Sequence, residues 1–447
     1  MGVPRSDEAG TRLVSRSVRA SVPSLRAALD AMPAPRTFWA GPDEATVVAG
    51  GTAATLTADG RDRFAAIRDG IDRVLRSGDV HAGTEAACPR LFGGFAFHDE
   101  GGQDNEAWED FPGARFVLPR VQVTDTDRGT WLTVNAVGPD ATTAAVEARL
   151  ADERERLEAL DDAESGPPPT IVSRTRTTPR EAWRESVDAA VERIRAGDLR
   201  KVVLAQALAV TLDRPLSVPD MLSRLGSTYP DCYRFLIEPT ADGAERPSFF
   251  GATPERLVSR RGRTVTTGAL AGTTGRGDTP AEDDWLADEL LRDEKNVHEH
   301  ELVAETIRDQ LAPFASSISA GQRRVRRLET VQHLFTPITA TLDRDTHVLD
   351  LVEALHPTPA VGGLPPERAL ATIRETEPFD RGWYAAPVGW VDAAGNGSFA
   401  VAIRSALARG PEATLFAGVG IVADSDPDRE WDEVQLKYRP ILDELER

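Results

Sequence analysis

The chain has 447 residues, of which 40% are hydrophobic and 28% charged, and its formal net charge is −20. This length fits one large or two moderate domains, and the acidic excess disfavours binding to nucleic acid or to anionic membranes. No apolar run reaches about 18 residues, so no transmembrane helix is expected. The N-terminal residues 1–20 lack the apolar region of a secretion signal, and the sequence has two cysteines, which together favour the cytoplasm.

The N-terminal part of the sequence is predicted to form strands and one charged helix. A strand is expected over 91–100, where the pair Gly93–Gly94 indicates a bend or a close approach of two backbones, and another over 114–124. A charged amphipathic helix is predicted over 142–163. The sequence GPPPT at 166–170 then breaks the regular structure, so few contacts are expected to cross this point.

Signals for helix and strand boundaries are sharper downstream of this break. A capping box over Thr178–Glu181, with proline at the first helical position, opens a helix that stops at Gly197. Further strands are predicted over 201–212, 248–260 (two strands and a turn), 264–277, 397–408 and 413–422. Further helices are predicted over 283–312, over 346–355 and from Pro427, behind a cap at Ser425 or Asp426. Because helices and strands interleave while strands also follow one another, the pattern favours a layered α+β or mixed α/β domain over a regular βαβ array.

Lysine is scarce in this sequence. Only Lys201, Lys295 and Lys437 occur among the 52 basic residues. An acidic chain with little lysine has the composition of a high-salt, halophilic cytosol, although a GC-rich genome would also deplete lysine. A lysine that remains is a candidate for chemistry that arginine cannot perform, because lysine can lose its proton when it is partly buried.

The histidine-glutamate stretch NVHEHEL lies within the predicted helix 283–312. The inward stripe of this helix consists of Leu302, Val303, Ile307 and Leu311. Glu299 extends the stripe, whereas His298 and His300 lie about 200° apart around the helix and cannot bind one metal ion together. A carboxylate on an apolar face is explained either by a salt bridge to an arginine at the core edge or by binding of a hard cation.

Three charged residues of the last helix also fall along one stripe, since Glu430, Glu433 and Lys437 are spaced i, i+3, i+7. Such a stripe is commonly a solvated face of ion pairs. Against this interpretation, the helix holds one of the three lysines. In addition, GVGIV just upstream brings backbone amides to the start of the helix, where they could bind a carboxylate.

Lys201 and Glu255 each have a structural and a chemical interpretation. Lys201 begins an otherwise apolar strand, so its amine either reaches solvent at the strand end or is partly desolvated and acts as a general base. Glu255 follows a proline in the turn GATPERL and is by itself an ordinary loop carboxylate. The segment TGALAGT supplies small residues where a flat ligand could approach the backbone.

Taken together and in this order, the motifs of the sequence resemble those of the chorismate-utilising enzymes. The resemblance is dense from residue 180 to the C-terminus and weaker upstream, in LFGGFAFHDE, at Trp108 and in FPGARFVLP. Within the family, the motifs are most similar to those of isochorismate synthases. The matching segments are KVVLAQ, FFGATPERL, TGALAGT, EKNVHEHELV, VQHLFTPI, LHPTPAVGG, FAVAIR and GVGIVADSDPDREWDEVQLK.

The resemblance implies a role for each matching residue. Lys201 stands where the family has the general base that activates water for attack at C2 of chorismate, and Glu255 where an acid protonates the departing C4 hydroxyl. Glu299 and Glu433 match ligands of Mg²⁺, an ion that suits two carboxylates plus substrate and water, and Glu430 lies near them. The matching substrate-contacting positions are Gly272, His333, Arg404, Gly418 and Lys437. Glu255 must be protonated to act, so its surroundings should raise its pKa.

The fold that the resemblance implies is one large α+β unit with two stacked, largely antiparallel β-sheets flanked by helices. Residues 1–165 would then contribute an N-terminal subregion to the same sandwich as the chorismate-binding catalytic region at 170–447. His298 and His300 would be bystanders of the magnesium site or groups that support it.

Related activities are distinguished by two positions. Anthranilate synthases carry glutamine at the position of Lys201. In place of HPTPAVGG, aminodeoxychorismate synthases usually have a PGGS-type sequence and salicylate synthases a TASG-like loop. Ala360 and Val361 resemble the isochorismate type, although Val361 departs from a common ALGG pattern. Salicylate synthase and aminodeoxychorismate synthase therefore stay as alternatives.

The expected partner is the small molecule chorismate, bound by a monomer or homodimer. Ammonia-using relatives need a glutaminase, and none is fused here, so no glutaminase subunit is expected. Isochorismate would feed menaquinone synthesis or, alternatively, a catechol siderophore. A non-enzymatic, acidic metal-binding protein would explain the charge but not why lysines fall at family motif positions.

Overall fold

The structure, a computed structural model, describes residues 12–76, 78–99, 106–139, 141–162, 165–239 and 246–446. The strands are β1 (Leu13–Arg19), β2 (Arg36–Ala40), β3 (Thr46–Ala58), β4 (Gly78–His81), β5 (Arg90–Phe95), β6 (Ala114–Thr126), β7 (Gly129–Val137), β8 (Ile171–Arg176), β9 (Lys201–Leu212), β10 (Tyr233–Ile237), β11 (Ser248–Thr253), β12 (Arg256–Arg261), β13 (Thr264–Gly275), β14 (Ala315–Ala320), β15 (Arg324–Arg327), β16 (Val331–Leu342), β17 (Gly363–Leu364), β18 (Pro387–Asp392), β19 (Gly397–Val401), β20 (Ser405–Arg409) and β21 (Glu412–Ile421). The helices are α1 (Leu25–Asp30), α2 (Arg63–Leu75), α3 (Thr143–Glu158), α4 (Arg180–Arg195), α5 (Val218–Thr228), α6 (Pro280–Arg292), α7 (Glu294–Leu311), α8 (Val348–Leu355), α9 (Pro366–Thr376) and α10 (Pro427–Glu446).

The described strands form one connected sheet in which two long arms of strands leave β6, and β7, β1 and β4 form a shorter third branch. The first arm runs β6–β3–β2–β10–β11–β20–β21–β9, and β8 and β17 pair with the far edge of β9. The second arm runs β6–β5–β18–β19–β12–β13–β16, and β14 and β15 pair with the far edge of β16. Among the described strands the pairings are antiparallel except for β1 with β4. The predicted α+β fold with largely antiparallel sheets is therefore confirmed.

One hydrophobic core is shared by the two arms and includes side chains from both sides of the GPPPT segment. Trp108 stacks on Phe416 of β21 at 5.5 Å between ring centroids and meets Phe249 of β11 edge-on at 5.1 Å. Gly93 in β5 permits a close approach of strands, because a Cβ there would lie 1.9 Å from the carbonyl oxygen of Arg115. The predicted backbone approach at this glycine is confirmed.

Two predicted elements near the cleft described below are interrupted. The single helix predicted over 283–312 is wrong, because Asp293 is extended (φ −66°, ψ 114°) and its carboxylate accepts a hydrogen bond from the amide of Asn296 at 2.8 Å. Asp293 therefore ends α6 and caps α7. The single strand predicted over 397–408 is also wrong, since β19 and β20 are separated by a bend in which Arg404 has a left-handed φ of 53°.

The helix caps agree with the prediction at some sites. The carboxylate of Asp426 accepts from the amides of Asp428 and Arg429 at 3.2 and 3.0 Å, which confirms one of the two predicted caps for α10. The capping box at Thr178 is wrong, because α4 begins behind Pro179 without a side-chain cap and the Thr178 hydroxyl is buried. No helix in the described ranges is both long and apolar enough to cross a membrane.

Candidate active site

One cleft contains every site residue predicted from the sequence. Its walls come from β9 and β21 of the first arm, β13 and β16 of the second arm, and helices α7 and α10. The predicted residues that line it are Lys201, Glu255, Gly272, Glu299, His333, Arg404, Gly418, Glu430, Glu433 and Lys437. The free ends of the two arms therefore bring together side chains that are far apart in the sequence.

Lys201 is buried at the start of β9 and does not reach solvent, since only 1% of its surface is exposed. Its Nζ lies 2.7 Å from Oε1 of Glu299 on α7, so the carboxylate on the apolar stripe pairs with a lysine and not with an arginine. Gly420 makes room for this pair, because a Cβ there would lie 2.7 Å from Glu299 Oε1 and 2.8 Å from Lys201 Cε. Burial opposes ionisation of Glu299, but Lys201, together with the charges of Lys437 and Lys295, outweighs burial and lowers the pKa of Glu299.

Glu255 lies between β11 and β12 and is also buried. Burial raises the pKa of Glu255 to about 7, although the charge of Lys201 and a hydrogen bond from Thr358 act in the opposite direction. Thr358 Oγ1 donates to Glu255 Oε1 at 3.4 Å from the HPTPAVGG segment. A carboxyl group with this pKa is substantially protonated near neutrality, so it can donate a proton, in line with the expectation from the sequence.

The three lysines of the chain all line this cleft, and each lies beside a glutamate. Lys437 Nζ contacts Glu433 Oε1 at 2.7 Å and donates to the carbonyl oxygen of Gly418 at 2.9 Å. Lys295 Nζ contacts Glu430 Oε1 at 3.2 Å. Burial and the nearby charge of Glu433 raise the pKa of Glu430. The stripe on α10 is therefore part of the cleft and not a solvated surface.

Arg404 and His333 form the opposite polar part of the cleft. Burial, together with the positive charges of Arg404 and Lys437, holds the pKa of His333 well below its usual value, so the imidazole is neutral. Arg404 Nη2 donates to His333 Nε2 at 3.3 Å, and because arginine can only donate, the ring proton is assigned to Nδ1, 3.1 Å from Thr273 Oγ1. In the described part of the chain the other terminal nitrogen of Arg404, Nη1, is buried without a hydrogen-bond partner, so it is free to bind an anionic group.

The carboxylates of the cleft suit a hard cation in their chemistry. Glu299 and Glu433 both line it, and Glu430 lines it as well, so these three carboxyl side chains face one cleft. Within the described ranges, no three His, Cys, Asp or Glu side chains are close enough to hold a metal ion unaided. Two carboxylates completed by oxygens of a bound ligand and water are a usual set for Mg²⁺, so the residues present fit this ion.

The two histidines of NVHEHEL do not line the cleft. His298 is exposed, whereas His300 is buried and its Nε2 lies 2.8 Å from Thr336 Oγ1. Burial lowers the pKa of His300 to about 4. This agrees with the geometric argument against a zinc site, and His300 instead packs α7 against β16.

Several residues of the cleft were not singled out from the sequence. Lys295 could have been predicted, because it is one of only three lysines in the sequence and the argument from lysine scarcity covers all three. Tyr384 is buried and stacks on Phe416 at 5.2 Å, and nothing in its local sequence indicates this position. The further residues of this kind are Thr273, Asn296 and Arg381.

The family model of the chorismate binding enzymes matches residues 7–446. The chain therefore belongs to this family. Two curated relatives extend the comparison over most of the chain. The isochorismate synthase MenF of Bacillus subtilis is 36% identical over 422 residues, which are 92% of this chain and 88% of the relative. The salicylate biosynthesis isochorismate synthase of Pseudomonas aeruginosa is 38% identical over 417 residues, 92% of this chain and 85% of the relative.

A solved structure shows the same fold. MenF, described as the menaquinone-specific isochorismate synthase from Escherichia coli, matches with a TM-score of 0.80 and 25% sequence identity. The match covers 98% of this chain and 96% of that protein. The similarity therefore includes the N-terminal part of the chain, where the resemblance of the motifs is weaker.

Proposed function

We propose that this protein converts chorismate to isochorismate. The observation that carries the proposal is the presence, in one cleft, of a buried lysine and a buried carboxyl group with a pKa of about 7. These are a candidate base and a candidate acid for the same reaction. Membership in the chorismate binding enzyme family supplies the substrate class, and the relatives named as isochorismate synthases support this product.

In the proposed reaction Lys201, acting as the base, removes a proton from water while the water oxygen bonds to C2 of chorismate. The C1–C2 double bond moves to C1–C6, the C5–C6 double bond moves to C4–C5, and the C4–oxygen bond breaks. Glu255 gives its proton to the leaving hydroxyl, which departs as water. One water enters and one leaves, and transfer of the proton from Lys201 back to Glu255 restores the enzyme.

The cleft offers groups for the two carboxylates of chorismate in an otherwise acidic protein. Arg404 presents its buried Nη1, and Lys437 lies beside Gly418. The neutral His333 accepts a hydrogen bond from Arg404 and lies beside Thr273, so it orients Arg404 without adding charge. Gly272 and Gly418 also line the cleft, and the absence of a side chain there makes room for Asn296 and Tyr384.

We also propose that Glu299 and Glu433 hold Mg²⁺, with Glu430 beside them. When bound, the ion would supply positive charge for a substrate carboxylate. Lys201 and Lys437, which contact these carboxylates at 2.7 Å, would then share them with the ion. What supports the proposal is the donor chemistry of the cleft and the charge on these side chains.

The metal assignment predicts that Glu299→Gln weakens Mn²⁺ binding, a probe for Mg²⁺, by at least about tenfold, because a charged oxygen ligand is lost. Titration of Mn²⁺ followed by electron paramagnetic resonance measures this without turnover. Glu301→Gln is the matched control, since Glu301 lies on the same helix, is exposed and pairs with Arg323 at 3.0 Å. Equal Mn²⁺ affinity of Glu299→Gln and wild type would contradict the assignment.

The acid assignment predicts a pH effect of Thr358→Val. Loss of the hydroxyl donor removes stabilisation of the Glu255 carboxylate, so the pKa of Glu255 rises from about 7. Activity that requires protonated Glu255 then persists to higher pH, and the alkaline limb of kcat/KM should move upward by up to about one pH unit. Thr346→Val, at a buried threonine outside the cleft, should leave the limb unchanged. A downward shift in Thr358→Val would be incompatible with this role.

For the pathway, we propose that the product feeds menaquinone synthesis. The B. subtilis relative and the E. coli structure, both MenF proteins, support this destination. The alternative is salicylate or siderophore synthesis, which the name of the P. aeruginosa relative favours. A deletion strain distinguishes the two, since loss of menaquinone with siderophore retained supports the first.

The activity is tested by incubating the protein with chorismate and Mg²⁺ in high KCl without ammonia and identifying products by NMR. Isochorismate without pyruvate is the expected result. Salicylate with pyruvate would identify a salicylate synthase, and turnover only after addition of ammonia would point to aminodeoxychorismate formation.

A further inference from the structure

Just beyond Lys201, backbone groups along one edge of β9 form hydrogen bonds with side chains in place of a neighbouring strand. β17 pairs with Lys201 and Val202, and the amide of Val203 still reaches the carbonyl oxygen of Gly362 at 2.9 Å. Among the described strands, β8 joins this edge only from Leu208 onward. Between them, the carbonyl oxygen of Val203 and the amide of Ala205 are buried groups that need partners.

A buried ion pair from the segment after α9 fills this gap. Arg381 Nη2 donates to the carbonyl oxygen of Val203 at 2.8 Å, and the amide of Ala205 donates to Glu377 Oε1 at 2.8 Å. Arg381 Nε donates to Glu377 Oε2 at 2.8 Å, and both side chains are buried. The pair therefore replaces a strand at the edge of β9, directly beyond the proposed base.

The guanidinium of Arg381 also binds the HPTPAVGG loop, which contacts the proposed acid Glu255. Arg381 Nη1 donates to the carbonyl oxygen of Val361 at 2.7 Å, and Phe97 covers the guanidinium at 4.4 Å. Val361 belongs to the HPTPAVGG segment, and Thr358 of that segment donates to Glu255. All three nitrogens of Arg381 are thus used within the protein, and the residue bridges the strand of Lys201 and the loop that contacts Glu255.

We propose that Glu377 and Arg381 are a positioning pair that sets the placement of Lys201 relative to Glu255, and that they control kcat without binding substrate. This inference rests on the proposed function. A planar guanidinium can hold two backbone carbonyls and a carboxylate at once, whereas an ammonium is a point charge on a flexible stem and cannot reproduce this arrangement. Catalysis is sensitive to displacement of such groups by about 1 Å, which can cost about 10²-fold in rate.

The test compares Arg381→Lys and Glu377→Asp with wild type by measuring kcat and KM for chorismate and the thermal unfolding temperature. We expect kcat to fall about 10²-fold in Arg381→Lys, with KM changed less than about threefold, at temperatures where the variant is folded. Arg36→Lys is the matched control, because it disrupts the ion pair of Arg36 with the buried Glu238 (2.7 Å) outside the cleft. This control should lower the unfolding temperature and leave kcat unchanged.

The outcomes separate the inference from the proposed function. If wild type forms isochorismate and the folded variants keep a kcat within about twofold of Arg36→Lys, the pair is only structural and the inference is wrong. If Arg381→Lys does not fold, Glu377→Asp, which retains the opposite charges, decides by the same criterion. If wild type forms no isochorismate, it is the proposed function that fails.

Discussion

Replacing Lys201 with alanine should reduce turnover of chorismate by roughly 10³-fold, while chorismate still binds, because the variant lacks the proposed base that activates water. Lys201 is buried beside Glu299, whereas the other two lysines of the cleft, Lys295 and Lys437, pair with Glu430 and Glu433. Steady-state kinetics gives the loss in kcat, and calorimetric titration with chorismate in the presence of Mg²⁺ gives the retained affinity.

Lys201→Arg separates the base from the ion pair. Arginine keeps a positive charge beside Glu299 but does not give up its proton, so this variant should be as inactive as Lys201→Ala. Near-normal turnover of Lys201→Arg would mean that the positive charge is what matters. Turnover of Lys201→Ala within about tenfold of wild type would remove Lys201 as the base.

Glu255→Gln should lower kcat by about 10²–10⁴-fold, since glutamine keeps the shape of the side chain but has no acidic proton for the leaving hydroxyl. The pH profile gives a second, independent readout. In wild type, activity should fall as pH rises through about 7, because burial holds the pKa of Glu255 there and only the protonated form is active. In Glu255→Gln the residual activity should lack this alkaline limb.

The matched control for Glu255→Gln is Glu353→Gln. Burial also raises the pKa of Glu353, but this residue lies outside the cleft. Its replacement should leave both kcat and the alkaline limb unchanged. An alkaline limb that persists in Glu255→Gln would assign that titration to a different group.

Much of the cleft could be predicted from residue type and motif order. Glu299 is a carboxylate on an apolar stripe, and Lys201 is a lysine in an apolar strand of a chain that otherwise uses arginine. Both patterns are local, so they can be read from a few neighbouring positions. Their mutual contact at 2.7 Å depends on the folding of two arms and could not be inferred from spacing.

The parts that could not be predicted depend on tertiary contacts. The helix break at Asp293 occurs in a sequence with good helix formers on both sides, and it is the capping bond to Asn296 that stabilises it. The left-handed Arg404 interrupts an apolar segment that favours a continuous strand, yet the bend directs the guanidinium towards His333. Arg381 and Glu377 carry no sequence signal of burial, because charged residues at this spacing are usually exposed.

The central claim is that solvent water adds at C2 of chorismate as the C4 hydroxyl leaves. Incubation of the enzyme with chorismate and Mg²⁺ in ¹⁸O-water, followed by mass spectrometry and NMR of the product, tests it most directly. The predicted result is isochorismate with one ¹⁸O at the C2 hydroxyl and no release of pyruvate. Isochorismate without ¹⁸O, or formation of another product in its place, would contradict the account.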